Sequence, residues 1–142
     1  MKILFLDIDG VLSCFGVRGL CGTRLDLLAD VVKRTGAEVV LSSSWRHPHC
    51  RDQLKRLERE LHRRGVEFLS ATPILPGEPR GNEIGAWLAS ASRRHEVTTF
   101  AILDDDPNNE IGQLLQPALV KCDGYQGLTV EKAAEVVRIL NP

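Results

Sequence analysis

The sequence predicts an α/β fold in which helices cover both faces of a mostly parallel five-stranded sheet, a three-layer α/β/α sandwich. Short apolar runs that end in a small or acidic residue alternate along the chain with segments whose apolar residues recur at helical spacing. Such alternation is typical of parallel strands joined by right-handed helical crossovers. The length of 142 residues and the ordinary hydrophobic share of 43% lead us to expect one domain over residues 1–142.

The strands and helices follow one another in a regular order. Apolar runs predict strands at 2–7, 38–42, 66–70, 99–104 and 118–121. Helical spacing of apolar residues predicts helices over 25–32, 51–64, 84–88 and 130–140. Gly36 lies where the first helix would end, and Thr129 where the last would begin. Because sheets of this type bind ligands beyond the carboxyl ends of their strands, the residues at those ends are the candidates for function.

Composition excludes several classes of protein. A net charge of −1 gives no global electrostatic case for nucleic-acid binding, so such a case depends on a local surface. The four cysteines, at positions 14, 21, 50 and 122, form no Cys-x-x-Cys pair, and no apolar run approaches the length of a membrane span. We therefore expect a reduced, cytoplasmic protein without a membrane segment.

Polar residues cluster at three predicted strand ends. Asp7 and Asp9 follow the first strand, three serines at 42–44 follow the second, and three aspartates at 104–106 follow the fourth. Strict alternation places Asp7 and Asp9 on the same face of an extended segment, and Gly10 lets the chain turn away from them. Carboxylates gathered in this number repel one another unless a cation lies among them, and hard oxygen ligands suit Mg²⁺. The sequence thus predicts a magnesium site at this edge of the sheet.

These residues resemble the four motifs of the haloacid dehalogenase (HAD) superfamily of phosphohydrolases. The segment Asp7-Ile-Asp-Gly-Val11 is similar to the first motif, Asp-x-Asp-Gly-Thr/Val. A serine at the end of the second strand, either Ser42 or Ser43, resembles the second motif. Arg80, just before a predicted helix, resembles the basic third motif, and the pair Asp104-Asp105 resembles the fourth. All four occur in the order found in the superfamily, which implies its Rossmann-like fold.

The resemblance implies a phosphatase reaction. Asp7 would attack phosphorus to form an aspartyl-phosphate, which water then hydrolyses. Asp9 would protonate the leaving oxygen and later accept a proton from the attacking water. Mg²⁺ would be held by Asp7, by the backbone carbonyl of Asp9 and by an acid of the fourth motif, Asp105 or alternatively Asp104.

Further residues would hold the phosphoryl group and the rest of the substrate. Ser42 would donate a hydrogen bond to a phosphoryl oxygen, and Arg80 would add positive charge near the nucleophile. Ser43, Arg46 and Gly10 are the other expected substrate contacts. The ordinary pKa of an aspartate, about 3.9, would leave the nucleophile ionised at neutral pH.

The surroundings of the motifs bear on the substrate class. Residues 12–37 hold one helix and a short Gly-rich segment that would form the superfamily's flap, and residues 47–79 are accounted for by a helix, a strand and a loop. We therefore expect no sizeable cap domain. The run Val-Val-Leu-Ser-Ser-Ser-Trp-Arg and the later Arg-Gly-Asn-Glu-Ile-Gly-Ala-Trp-Leu are similar to a small subgroup found in RNA repair proteins. An open site suits a large substrate such as a nucleic-acid end or a phosphoprotein, with a small phosphorylated metabolite as an alternative.

Basic and aromatic residues extend the case for nucleic acid without deciding it. A basic stripe on the predicted helix at 51–64 comprises Arg51, Lys55, Arg59 and Arg63. The stripe suits contact with a phosphate backbone, or else is a solvated helix face. Trp45 and Trp87 are expected in the core or in the wall of the site rather than as platforms for bases.

Two other functions compete with hydrolysis. A signalling receiver domain also gathers acids around Mg²⁺, but its phosphorylated aspartate would follow the middle strand, where this chain has Ser70-Ala-Thr72. A non-catalytic or regulatory binding domain would keep the HAD-like fold and carry out no reaction. The sequence does not exclude such a binding domain.

Overall fold

A computed structural model of the chain describes residues 1–13, 19–91 and 96–142. The predicted flap therefore lies partly outside the described residues. The main elements are β1 (Lys2–Leu6), α1 (Gly22–Thr35), β2 (Glu38–Leu41), α2 (Arg51–His62), β3 (Phe68–Ala71), α3 (Arg80–Ala91), β4 (Thr99–Asp104), β5 (Leu119–Lys121) and α4 (Val130–Leu140). Three 3₁₀ turns, Ser44–Arg46, Pro48–Cys50 and Gln113–Ala118, lie between them. The predicted strands and helices are thus present in the predicted order.

The strands form one sheet in the order β3-β2-β1-β4-β5, and every neighbouring pair is parallel. β1, β2 and β4 end level with one another, because Leu6 is in register with Leu41 and with Leu103. The ladders continue one residue further, since the N–H of Asp7 donates to the carbonyl of Leu103 and the N–H of Ser42 donates to that of Leu6. The polar residues that end these three strands therefore lie side by side.

Side chains of the sheet alternate between two core clusters. Leu4 and Leu6 of β1 belong to the larger cluster, which also takes in the apolar faces of α1, α2 and α4. Ile3 and Phe5 point the other way and pack with buried residues of α3. Three helices thus cover one face of the sheet and α3 covers the other. This arrangement confirms the predicted three-layer sandwich, and the described residues contain no large cap.

β3 departs from the predicted buried strand. It begins at Phe68, two residues later than expected, and its last three residues, Leu69 to Ala71, are exposed. The reason is its position, because β3 is an edge strand and has only β2 as a neighbour.

The predicted helix ends at Gly36 and Thr129 are confirmed. Gly36 ends α1 in the left-handed conformation, with φ of 69°, and the Thr129 side chain accepts a backbone N–H at the start of α4. None of the helices within the described ranges has the length and apolar character needed to cross a membrane.

Candidate active site

The ends of β1, β2 and β4 bring Asp7, Ser42 and Asp104 together. Each of these residues comes two positions after a strand residue that packs in the core cluster on the α3 side of the sheet. Because side chains alternate along a strand, all three are directed toward the face that α3 covers. All three are also buried. Register and alternation together therefore gather them at one place.

Arg80, the first residue of α3, links these three strand ends. Its Nη1 lies 3.2 Å from Oδ1 of Asp7 and 3.2 Å from Oδ2 of Asp104. The same nitrogen donates to the carbonyl of Ser42 at 2.9 Å. Burial opposes the charged form of the guanidinium, but the two carboxylates favour it more strongly and raise the pKa of Arg80. A permanent positive charge thus lies against the aspartates.

Asp105 packs against the turn that follows β1. Gly10 has a φ of +79°, and a Cβ at this position would lie 2.3 Å from Oδ2 of Asp105. Only a glycine backbone allows the Asp105 carboxylate to approach so closely. Gly10 thus leaves room for the Asp105 carboxylate, and its contact with substrate stays a prediction.

Three carboxylates can share one cation. Asp7, Asp104 and Asp105 each offer an oxygen, and these atoms all lie within 4.8 Å of one another. Among the described residues, no hydrogen bond or ion pair engages the Asp105 carboxylate, so both of its oxygens are available to a ligand. A buried group of carboxylate oxygens is the donor set that Mg²⁺ prefers. The residues present therefore fit the predicted metal.

The charge of the cluster changes one expectation from the sequence. Burial, followed by the charge of Asp104, raises the pKa of Asp7 well above its usual value. Burial likewise raises the pKa of Asp104 to about 6. The pKa of Asp7 in the folded protein is therefore not the ordinary one expected from the sequence. A cation among them would favour the ionised form.

The two serines that resemble the second motif differ in environment. The Ser42 hydroxyl is buried and, within the described part of the chain, has no hydrogen-bond partner. The Ser43 hydroxyl accepts the N–H of Trp45 at 3.2 Å and so caps the 3₁₀ turn Ser44–Arg46. Ser42 thus has a hydroxyl free for a phosphoryl oxygen, while the Ser43 hydroxyl is engaged by the backbone.

Asp9 lies apart from the buried carboxylates. Its side chain is exposed, Oδ2 accepts the indole N–H of Trp45, and Oδ1 accepts the hydroxyl of Ser13, each at 3.1 Å. Asp9 lies within a sharp turn, in which the carbonyl of Ile8 accepts the N–H groups of the three residues from 11 to 13. Asp7 is therefore buried among charges, while Asp9 is held by neutral donors at the surface.

Comparison with known families identifies the relationship. Residues 3–133 match the family described as the HAD domain in Swiss Army Knife RNA repair proteins. The chain belongs to this family. The matched range contains every strand end of the site, and membership confirms the HAD-like fold and indicates a phosphohydrolase type of function. No curated protein matches the chain.

In this HAD domain, Arg46 occupies a different place from the substrate contact expected of it. Its side chain is only 6% exposed, and Nη2 lies 2.9 Å from Oε1 of Glu83, which is 8% exposed. Its other donors bond the carbonyls of Ser43, Thr72 and Pro73 and the hydroxyl of Thr72. Arg46 therefore holds the turn after β2 against α3, and all three nitrogens of its buried guanidinium contact protein groups. A loop arginine beside a motif gives no sign in the sequence that it will be buried.

Asp106, the last of the three consecutive aspartates, stabilises the loop that follows β4. Asp106 is buried, and its carboxylate accepts the N–H groups of Glu110 and Ile111. Asp106 also has a φ of 34°, and its own N–H donates to Oδ1 of Asp104 at 2.8 Å. The run of three acids thus contains two that face the site and one that shapes the chain behind it.

One small cavity lies beside the site, and a larger depression lies elsewhere on the surface. A cavity of about 280 Å³ opens beside Arg80 and is lined by His47, Ile74 and Glu78 among others. A larger depression of about 770 Å³ lies between the far half of α2 and the start of β3. Because β3 starts at the amino edge of the sheet, this larger depression is remote from the carboxylates and forms no part of the site.

Proposed function

We propose that this HAD domain is a Mg²⁺-dependent phosphomonoesterase that works through an aspartyl-phosphate on Asp7. The observation that carries the proposal is the group of three carboxylates within 4.8 Å of one another, two of them bridged by Arg80. Buried carboxylates in such numbers are costly unless cations accompany them, and one arginine leaves an excess of negative charge. A divalent cation and a phosphoryl group both suit this arrangement.

In the reaction that the HAD resemblance implies, Asp7 is the nucleophile and Asp9 is the general acid and base. An oxygen of Asp7 forms a bond to phosphorus while the bond from phosphorus to the ester oxygen breaks, and Asp9 gives its proton to that leaving oxygen. Water then attacks the phosphorus of the aspartyl-phosphate and passes a proton to Asp9, and the Asp7 carboxylate departs. Both aspartates return to their starting states, and the products are an alcohol and inorganic phosphate.

The remaining residues of the site would hold the metal ion and neutralise the charge of the phosphoryl group. Asp7, Asp105 and the backbone carbonyl of Asp9 would hold Mg²⁺, which when bound supplies positive charge to the carboxylates and the phosphoryl oxygens. Asp104 is less available, because its Oδ1 accepts the N–H of Asp106 and its Oδ2 pairs with Arg80. Arg80 would also neutralise charge on the transferring group, and the free hydroxyl of Ser42 would donate to it.

The chemistry is tested with an aryl phosphate. We expect purified protein to hydrolyse 4-nitrophenyl phosphate with Mg²⁺ and not with EDTA, and acid quenching to trap a phosphorylated protein. Asp7→Asn should abolish both turnover and trapping. Asp30→Asn, the same change at an exposed aspartate of α1, is the matched control and should keep the wild-type rate. Metal-independent turnover or an active Asp7→Asn protein would overturn the mechanism.

For the substrate, we propose the phosphorylated end of a nucleic acid. The matched family occurs in RNA repair proteins. Three residues of the basic stripe, Arg51, Lys55 and Arg59, lie on the exposed face of α2, and the fourth, Arg63, is the exposed residue that follows the helix. Of these, Arg63 pairs with Glu60 at 2.9 Å. α2 follows the carboxyl end of β2, so the stripe begins on the side of the sheet where the site lies and extends away from it along roughly 18 Å of helix.

The substrate is tested by comparing RNA and DNA oligonucleotides that carry 3′- or 5′-phosphates with small phosphate esters. Replacing Arg51 and Lys55 together by alanine should lower kcat/KM on the oligonucleotide about tenfold and leave 4-nitrophenyl phosphate unaffected. The salt dependence of oligonucleotide binding should also become shallower, by about 0.7 in slope for each phosphate that the variant no longer neutralises. Lys33→Ala, at an exposed site on α1, is the control. Turnover of small metabolites only would favour a metabolite phosphatase, and a folded but inactive protein would favour a binding domain.

A further inference from the structure

The Asp9 carboxylate is held at both oxygens although it is exposed. The indole of Trp45 donates to Oδ2, and the hydroxyl of Ser13 donates to Oδ1. Ser13 belongs to the same turn as Asp9, whereas Trp45 comes from a segment 36 positions further along the chain. An exposed aspartate without such donors moves among several rotamers. Two donors from different directions select one of them.

The segment that carries Trp45 is itself firmly anchored. The backbone N–H of Trp45 bonds the hydroxyl of Ser43, and its half-buried ring packs against the larger core cluster. The next residue, Arg46, forms the buried ion pair with Glu83 and donates to two carbonyls of the main chain just beyond β3. A buried ion pair is a costly way to stabilise a loop, but it defines one geometry. The position of the indole is thus fixed by its bond to Ser43 after β2, by the core and, through Arg46, by α3.

We propose that Trp45 is a positioning residue for proton transfer: its indole N–H holds the Asp9 carboxylate in the orientation that meets the leaving-group oxygen. The inference rests on the proposed function, in which Asp9 supplies that proton. Neither the sequence pattern nor the family match assigns this part to Trp45. The sequence placed Trp45 in the core or the site wall, and the structure adds the contact with Asp9.

The proposal makes the effect of a substitution depend on the leaving group. A positioned acid contributes about 10²- to 10⁴-fold to a reaction that needs its proton, and part of that depends on orientation. Glycerol 2-phosphate has a poor leaving group that must be protonated, whereas 4-nitrophenolate departs without a proton. We expect Trp45→Phe to lower kcat/KM about tenfold or more on glycerol 2-phosphate and less than about twofold on 4-nitrophenyl phosphate.

Two further variants separate positioning from general damage to the fold. Trp87→Phe is the matched control, because the Trp87 indole also donates a hydrogen bond, at 2.7 Å, but to Ser70 on β3 and not to Asp9. It should lower kcat/KM on both substrates alike or not at all. Ser13→Ala removes the other donor to Asp9 and should show the same leaving-group dependence as Trp45→Phe, which keeps the test decisive if Trp45→Phe does not fold.

A measurement without turnover tests the contact itself. The chain has two tryptophans, so its ¹H–¹⁵N spectrum contains two indole N–H signals, which Trp87→Phe assigns. Asp9→Asn should shift the Trp45 signal and speed its exchange with solvent deuterium, and should leave the Trp87 signal in place. In the Asp9→Asn background, Trp45→Phe should cause no further loss on glycerol 2-phosphate.

The outcomes distinguish this inference from the proposed function. An inactive wild-type protein, or an active Asp7→Asn protein, overturns the phosphatase proposal and with it the use made of Asp9. An active wild-type protein in which Trp45→Phe slows both substrates equally overturns the positioning role alone. The positioning role is also overturned if the Trp45 signal does not move in Asp9→Asn. It is likewise overturned if the losses in kcat/KM of the two single variants add in the double variant.

Discussion

Replacing Gly10 by alanine should weaken the metal site through Asp105. The added Cβ would lie 2.3 Å from Oδ2 and 2.7 Å from Cγ of Asp105, so the carboxylate must retreat. Restoring an ordinary van der Waals contact requires a movement of about 1 Å, which is half the length of a Mg²⁺–oxygen bond of ~2.0–2.1 Å. Mg²⁺ demands near-ideal octahedral geometry, so a ligand displaced this far no longer coordinates well.

The expected magnitude has two parts. The left-handed backbone at Gly10 costs an alanine about 1–2 kcal/mol of folding stability regardless of its neighbours. The displaced carboxylate acts on metal binding, and we expect the Mg²⁺ concentration for half-maximal activity to rise by about 10- to 100-fold, as for the removal of a supporting group at a metal site. Only the second part should depend on Asp105.

The two parts are measured separately. Urea denaturation in EDTA gives the backbone cost, and Mg²⁺ titration of 4-nitrophenyl phosphate hydrolysis gives the metal effect. Gly65→Ala is the matched control, because Gly65 has nearly the same φ, +77°, and a Cβ there would meet nothing within 4 Å. It should lose similar stability and keep the wild-type Mg²⁺ dependence. A Gly10→Ala protein with unchanged half-maximal Mg²⁺ would refute the argument.

Three further predictions concern the buried charges. Burial raises the pKa of Asp104 to about 6, so between about pH 4 and pH 6 the folded protein keeps a proton that the unfolded chain has released. In EDTA the free energy of unfolding should therefore fall as pH rises through this window, and Asp104→Asn should lessen this fall in urea titrations. A variant whose free energy of unfolding depends on pH as the wild type's does would contradict the prediction. Glu83→Gln leaves Arg46 buried without its counter-charge and should cost about 3–5 kcal/mol in urea denaturation, against less than about 1 kcal/mol for Asp30→Asn at an exposed pair. Arg80→Gln should lower kcat about 10²- to 10³-fold at saturating Mg²⁺ in steady-state assays, and a wild-type kcat would remove Arg80 from the mechanism.

Local patterns predicted the elements of the fold well. Each strand is a short apolar run and each helix has helical spacing, and these features depend only on neighbouring residues. The caps at Gly36 and Thr129 are local in the same sense. β3 was less well predicted, because its exposure follows from its place at the edge of the sheet, and strand order is not a property of any segment.

The candidate site was predicted in part. Asp7, Arg80 and the pair Asp104-Asp105 lie together as the motifs suggested, although their catalytic roles stay predictions. The sequence left open whether Ser42 or Ser43 belongs to the second motif, because consecutive residues beyond a strand differ only in the direction of their side chains. The structure separates the two serines by their hydrogen bonds.

By itself, the sequence determined which residue types end the strands and hence the kind of chemistry the site can support. The tertiary structure decided which of those residues meet. The strand ends are level, so Asp7 lies beside Asp104. Gly10 has no side chain, which leaves room for the Asp105 carboxylate, and an anchored turn places the Trp45 indole against Asp9. These contacts join residues far apart in the chain, so they depend on register, on facing direction and on burial, which only the packed fold establishes.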